Sequence, residues 1–323
     1  MIYQKTEMVK KVLVIGFGNI GCRHVQSLLK NKIHYEIHIL ETSKANIEKN
    51  LKIINANMRD FVWHNNLEEV PLLDIAIVAT SSAPRFDIMK YLLKIGFKTF
   101  LIEKIVFQSE KQFNFIQKTM IEKGATAFCN FGNRYVKAYN EIKKIIQYSE
   151  SKISIEVNGG LFGLGCNAIH YIDLLQFFRE DNHIEVLSNE SKLLDSPNKR
   201  GDLYKEFYGD IAFKNRRSDT ILIRSNKNIN EVTIKIESEN DLFILNQGNM
   251  KMKIFKKGQF IEQKDFYVYS ASELTHILID DIDNKKCKMA TIDETFLAHI
   301  ALFKVFNKHI YKKPSTKSLC PIT

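Results

Sequence analysis

The feature that most constrains the fold is a β-branched, apolar run, KVLVI at 11–15, that stops on three glycines spaced Gly16-x-Gly18-x-x-Gly21. A strand that ends in such a turn and passes directly into a helix opens a βαβ unit. Ile20, His24 and Leu28 then recur at helical spacing, so the predicted order is strand, glycine turn and a helix from Ile20 to Lys30. Gly16 permits the tight turn, Gly18 leaves room for a pyrophosphate, and Gly21 lets the helix approach the strand. The amides of the turn, through Phe17, Asn19 and Ile20, and the helix N-terminus lend partial positive charge to that anion.

Glu41 closes the next strand, YEIHIL at 35–40, and stands 20 residues after Gly21. An acidic side chain there accepts hydrogen bonds from both ribose hydroxyls of an adenosine, which favours NAD. Ser43 and Lys44 leave NADP open, and a solvated strand-end residue is the bland reading of Glu41. Further strands are predicted at 74–80 (DIAIVAT), 98–103 (KTFLIE) and 125–131 (ATAFCNF), with helices over 86–95 and about 109–123. Continuous apolar strands separated by helices imply a parallel sheet covered on both faces.

After a helix near 136–148 the texture changes to alternating strands with turn signals, at 153–157, 204–213, 220–225, 231–237, 241–246 and 252–255. This is the pattern of a large antiparallel sheet. Helices near 270–283 and 291–309 close the chain. The predicted organisation is an α/β dinucleotide-binding domain over 1–131 and an α+β domain over 132–323, whose C-terminal helix is expected to pack back on the first domain.

With 323 residues, 45% hydrophobic and 26% charged, the chain can bury two sizeable cores. Its net charge of +10 is spread through interleaved acids and lysines, as in EKNLK, without a basic block carrying aromatics. Nucleic acid and membrane surfaces are therefore not expected partners. No leader-like or membrane-spanning run is seen, so a cytoplasmic location is expected. Cys22, Cys129, Cys166, Cys287 and Cys320 show no disulfide or zinc spacing.

Several separated segments, GFGNIGCRH, VATSSAPRFD, LIEK, NFGNRY, HYIDLL and MATIDETFLAHIALFKVF, together resemble the signature regions of the Gfo/Idh/MocA family. That family is named for glucose-fructose oxidoreductase, inositol dehydrogenase and rhizopine catabolism. The resemblance implies a Rossmann domain joined to a domain with an open antiparallel sheet used for homodimer or homotetramer contacts. It also implies reversible oxidation of a hydroxyl on a sugar, sugar acid or nucleotide sugar, with bacterial surface-sugar pathways as the natural setting.

The family's Glu-Lys-Pro appears here as Glu103-Lys104-Ile105, which keeps the lysine and loses the proline. A lysine at the C-terminal end of a parallel strand can donate a proton to an alkoxide or polarise the reacting oxygen. The family's Asp-x-x-x-His pattern retains His170, with Asp173 three residues on, whereas Cys166 replaces the expected Asp beside Asn167. His170 is the candidate acid/base, because imidazole titrates near neutral pH. A hydrogen-bonded core histidine is its bland alternative. Asp173 either orients that ring or caps the helix.

Thr80, Ser81 and Ser82 are expected near the nicotinamide ribose. Cys166, Asn167, Asn133 and Arg134 are expected to border the substrate. Arg85 and Arg134 would suit a phosphate or carboxylate on it, or else are solvated charges. Thiol chemistry at Cys166 has no supporting partners in the sequence, and His170 with Asp173 lacks the further ligands of a metal site. Two other readings stay open: a cofactor-binding regulatory protein without chemistry, and an epimerase or hydrolase that recycles NAD.

Overall fold

A computed structural model describes residues 9–30, 35–187, 192–198 and 200–323; the first eight residues, read above for a leader, lie outside it. It forms two compact units that interleave along the chain. Unit 1 holds Met1–Val106, Asn114–Gly132 and Tyr269–Ile292, and unit 2 holds the remainder.

In unit 1, β1 (Lys10–Ile15), β2 (Tyr35–Leu40), β3 (Val62–His64), β4 (Ile75–Val78), β5 (Thr99–Ile102) and β6 (Thr126–Cys129) pair in parallel in the order β3-β2-β1-β4-β5-β6. The connecting helices are α1 (Asn19–Leu28), α2 (Lys44–Ile54), α3 (Ser82–Ile95) and α4 (Glu110–Lys123). The central strands β1 and β4 are buried from Val12 to Ile15 and from Ile75 to Val78, so their sequences read as unbroken apolar runs. The order reverses between β1 and β4. This is the switch point at which open α/β sheets bind ligands, beyond the carboxyl ends of the strands.

Unit 2 contains α5 (Lys137–Ile146), β7 (Ser154–Gly159), α6 (Leu164–Arg179) and a nine-stranded sheet in the order β15-β14-β13-β12-β7-β11-β10-β8, with β9 also paired to β10. Its other strands are β8 (Glu185–Val186), β9 (Lys192–Ser196), β10 (Glu206–Lys214), β11 (Thr220–Ser225), β12 (Thr233–Glu237), β13 (Asp241–Asn246), β14 (Lys251–Lys256) and β15 (Gln259–Asp265). All pairs are antiparallel except β7 with β11. Alternation fixes which face is inside: Ile155, Val157, Ile221, Ile223, Ile234, Ile236, Phe243 and Leu245 are buried, while Glu156, Asn158, Arg224 and Lys235 on the other face are half-exposed.

Two helices follow, α7 (Ala271–Asp283) and α8 (Ile292–Tyr311). α7 groups with unit 1, whereas most of α8 groups with unit 2, where Phe296, His299 and Phe303 pack on Phe113 at the start of α4. The reason is local. α7 buries Leu274, Leu278 and Ile279 and packs on α1, where Thr275 Oγ1 meets His24 Nδ1 at 2.7 Å and His276 Nδ1 meets Ser27 Oγ at 2.9 Å.

Candidate functional site

The glycine turn after β1 has the geometry of an anion cradle. Gly16 adopts φ +87°, in the left-handed region open to glycine. A Cβ on Gly21 would stand 1.8 Å from the Gly16 carbonyl oxygen, so only glycine lets α1 come this close to the turn. Among the described residues a Cβ on Gly18 would meet nothing within 4 Å, and Gly18, as the N-cap of α1, brings no side chain to the first turn. Space is thus open at Gly18, beside the N-terminus of α1, which fits a diphosphate. Asn19 and Ile20 are exposed beside it.

Phe17 plays a mixed part. Its ring is buried edge-on against Trp63, with centroids 5.7 Å apart, and only its main chain belongs to the turn. Its amide donates to Glu41 Oε2 at 2.9 Å, and Glu41 Oε1 accepts from the Ser43 amide at 2.8 Å. Asn46 Nδ2 also donates to Oε2 at 3.4 Å, so Glu41 is held between the turn and the start of α2, half-buried, with one acceptor position left on Oε1.

Two more loops leave the same edge of the sheet. After β4, Thr80 Oγ1 donates to the Ser81 carbonyl at 3.1 Å, and Ser82 is buried in the first turn of α3. After β5 come Glu103 and the half-buried Lys104; the Lys104–Ile105 peptide bond is cis. Glu103 accepts from Asn130 Nδ2 at 2.5 Å and lies 3.1 Å from His24 Nε2. Burial pushes its carboxyl up, but the hydrogen bonds and charge of His24, together with Asn130 and Lys104, outweigh this and hold it at about 2.

Arg85 corrects the sequence reading. Its side chain is 2% exposed, and its guanidinium donates to the main-chain carbonyls of Thr80, Glu103 and Ile105. Committed in this way, it is neither a solvated charge nor a receptor for a substrate anion.

In unit 2, α6 carries Cys166, Asn167 and His170, all half-buried, in its first two turns. Asn133 Nδ2 donates to the His170 carbonyl at 3.4 Å, and Asn167 Nδ2 donates to the Phe162 carbonyl. Asp173 neither orients the His170 ring nor caps α6. It is fully buried and forked by Arg134, whose Nε lies 3.1 and 3.0 Å from its two oxygens and whose Nη2 lies 2.8 Å from Oδ1. Burial raises the Asp173 carboxyl, and the Arg134 fork works against it. The same fork removes Arg134 as a substrate-anion receptor, since its guanidinium is spent on Asp173 with Glu294 Oε2 a further 3.8 Å away.

Three neighbours were not singled out from sequence: His24, Arg200 and Glu206. Glu206 Oε1 accepts the Gly165 amide at 2.5 Å and the Phe207 amide at 2.9 Å, compensating the α6 N-terminus from β10. Arg200 Nη2 lies 3.3 Å from Cys166 Sγ. No local motif marks these residues; Glu103, Gly165 and Cys166, the partners that place them, are each more than thirty residues away in sequence. Among the described residues no group of three or more His, Cys, Asp or Glu side chains is placed to hold a metal ion, and no helix is long and apolar enough to cross a membrane.

Residues 10–131 match the model of the Gfo/Idh/MocA group, described as an oxidoreductase family with an NAD-binding Rossmann fold. This N-terminal segment is similar to the NAD-binding domain of that family. The Rossmann strand order and the open glycine cradle agree with NAD binding by a Gfo/Idh/MocA domain. No curated protein matches the sequence significantly.

Solved structures extend the likeness across the chain. A dehydrogenase (MviM) from Clostridium difficile is 18% identical, covers 93% of this chain and 100% of its own, and gives a TM-score of 0.71. A super-repressor mutant of Gal80p from Saccharomyces cerevisiae is 15% identical over 95% and 97%, with a TM-score of 0.71. UDP-N-acetylglucosamine 3-dehydrogenase GnnA from Acidithiobacillus ferrooxidans is 12% identical over 91% and 95%, with a TM-score of 0.67. At such identities the likeness is one of fold.

Proposed function

We propose that this chain oxidises or reduces a CH–OH/ketone centre of a sugar, sugar acid or nucleotide sugar, with NAD as the hydride carrier. The observation that carries this reading is the position of Lys104, two residues past β5. It lies on the sheet edge that also holds the glycine turn and the Thr80–Ser82 loop. NAD, when bound, would supply the two-electron chemistry, held by the Asn19 and Ile20 amides at the start of α1 and by Glu41.

The chain's own residues handle the proton. Lys104 donates it to the alkoxide oxygen during reduction and withdraws it from the hydroxyl during oxidation. His170 on α6 is the second acid/base candidate, and Cys166 and Asn167 on the same helix are candidate substrate contacts. The open face of the nine-stranded sheet is the surface we assign to self-association. The name of GnnA points to nucleotide-sugar chemistry on this fold, which supports the substrate class.

The rival is a cofactor-binding regulator without chemistry, favoured by Cys166 in place of the expected carboxylate and by the likeness to Gal80p. Purified protein incubated with NAD and a panel of acidic and nucleotide-linked sugars, read by nicotinamide absorbance, separates the two. Lys104→Met and His170→Ala are each expected to cut turnover roughly 10² to 10⁴-fold while NAD still binds. Unchanged turnover in both variants removes them from the chemistry. NAD binding without reduction by any sugar favours the regulator.

A further inference from the structure

We propose that Arg85 is a positioning residue for Lys104, tying the loop after β5 to the loop after β4; this rests on the reading of Lys104 as the proton-transfer group. The side chain starts in the first turn of α3 and is buried. One terminal nitrogen, Nη1, serves the carbonyl oxygens of Glu103, at 2.5 Å, and of Ile105, the residues on either side of Lys104. The other, Nη2, serves the Thr80 carbonyl.

A guanidinium is planar, permanently charged and fixed in the angles between its donors, so three carbonyls gripped by one group cannot drift independently. The Cα of Lys104 is pinned between two gripped carbonyls and registered against Thr80. Lys104 itself is half-buried at this edge. A group that served packing alone would place its donors anywhere in the core. All three acceptors here belong to loops at the carboxyl edge of the sheet, the edge that binds ligands in this fold.

Removing the fork leaves those carbonyls to relax, and the lysine with them. A displacement of about 1 Å at a reacting group can cost roughly 10²-fold in rate. Arg85→Met is expected to lower kcat by up to that factor while the NAD dissociation constant stays near wild type. Arg85→Lys should recover part of the loss, because it restores charge and donors without the planar fork.

Coupling to Lys104 is the decisive readout. If Arg85 acts through Lys104, the Arg85→Met/Lys104→Met double variant is no slower than Lys104→Met alone. Independently of turnover, acetylation of Lys104 by an N-hydroxysuccinimide ester, followed by mass spectrometry, should change relative to the other lysines in Arg85→Met. Should that variant fail to fold, Arg85→Lys and Arg85→Gln carry the same comparisons. Multiplicative losses in the double variant, or folded variants with unaltered Lys104 labelling, overturn the proposal. Altered labelling in a protein that reduces NAD with no sugar leaves the tie in place and defeats the hydride-transfer reading instead.

Discussion

His24 Nε2 lies 3.1 Å from Glu103 Oε1 inside unit 1, joining the helix after the glycine turn to the strand end that precedes Lys104. The pair is buried, and each member has a further partner. Thr275 Oγ1 is 2.7 Å from His24 Nδ1, and Asn130 Nδ2 is 2.5 Å from Glu103 Oε1. A buried carboxylate is tolerated only when satisfied in this way, so the network couples α1, β5 and α7 through one set of hydrogen bonds.

The network makes stability depend on acidity. The Glu103 carboxyl is held at about 2 in the folded protein against an ordinary value of 4.5. A folded value below the unfolded one gives stability that is fully present above the unfolded value and is lost as pH falls through the folded one. The loss is therefore expected between about pH 4.5 and 2, and the contribution at neutral pH is on the order of 3 kcal/mol. Glu103→Gln should melt lower at neutral pH and show a flatter acid limb. Parallel acid limbs in variant and wild type would assign the acid sensitivity to other groups.

The Arg134–Asp173 fork yields a second expectation, this time within unit 2. Both side chains are buried, so deleting one charge strands the other. Asp173→Ala should lose about 3–5 kcal/mol in chemical denaturation. An Arg134→Met/Asp173→Leu double change should recover much of that, since two apolar groups leave no orphaned charge. A mild loss in Asp173→Ala would mean that the fork is not a structural tie.

Much of the architecture is written locally. YEIHIL, TILIRS and DLFILN appear as β2, β11 and β13 with unchanged limits, because a strand buried on one or both faces declares itself by period and β-branching. QFIEQKD escaped notice as β15 because it is an edge strand with almost every residue exposed, so no alternation is imposed on it. VWH was too short to stand out as β3. Helix α2 was missed as well, with only Asn50 and Leu51 buried along its length.

The site divides in the same way. The glycine turn and Glu41 can be read because their spacing is itself the mechanism. Arg85 and Arg134 read as receptors for a substrate anion or as solvated charges, since a sequence does not say which charges are drawn inside by distant carbonyls or an acid on another helix. His24 meets Thr275 across 251 residues, a distance at which composition and period carry no information.

The three glycines of the turn can be told apart by experiment, because their roles differ physically. A methyl group at residue 21 would sit 1.8 Å from the Gly16 carbonyl oxygen, a main-chain atom that cannot swing aside. Gly21→Ala is thus expected to destabilise unit 1 by roughly 4 kcal/mol or more, in the range reserved for severe backbone or packing conflict. A methyl group at residue 18 meets no protein atom within 4 Å, and its backbone at φ −73° suits any residue. Gly18→Ala should therefore melt within about 0.5 kcal/mol of wild type. The space that methyl enters is the space assigned to the diphosphate, so NAD affinity should fall by at least about tenfold, or ~1.4 kcal/mol. Calorimetric titration with NAD beside thermal melts of both variants gives the comparison. Wild-type affinity in Gly18→Ala would move the diphosphate off this turn, and with it the orientation that brings a nicotinamide towards Lys104.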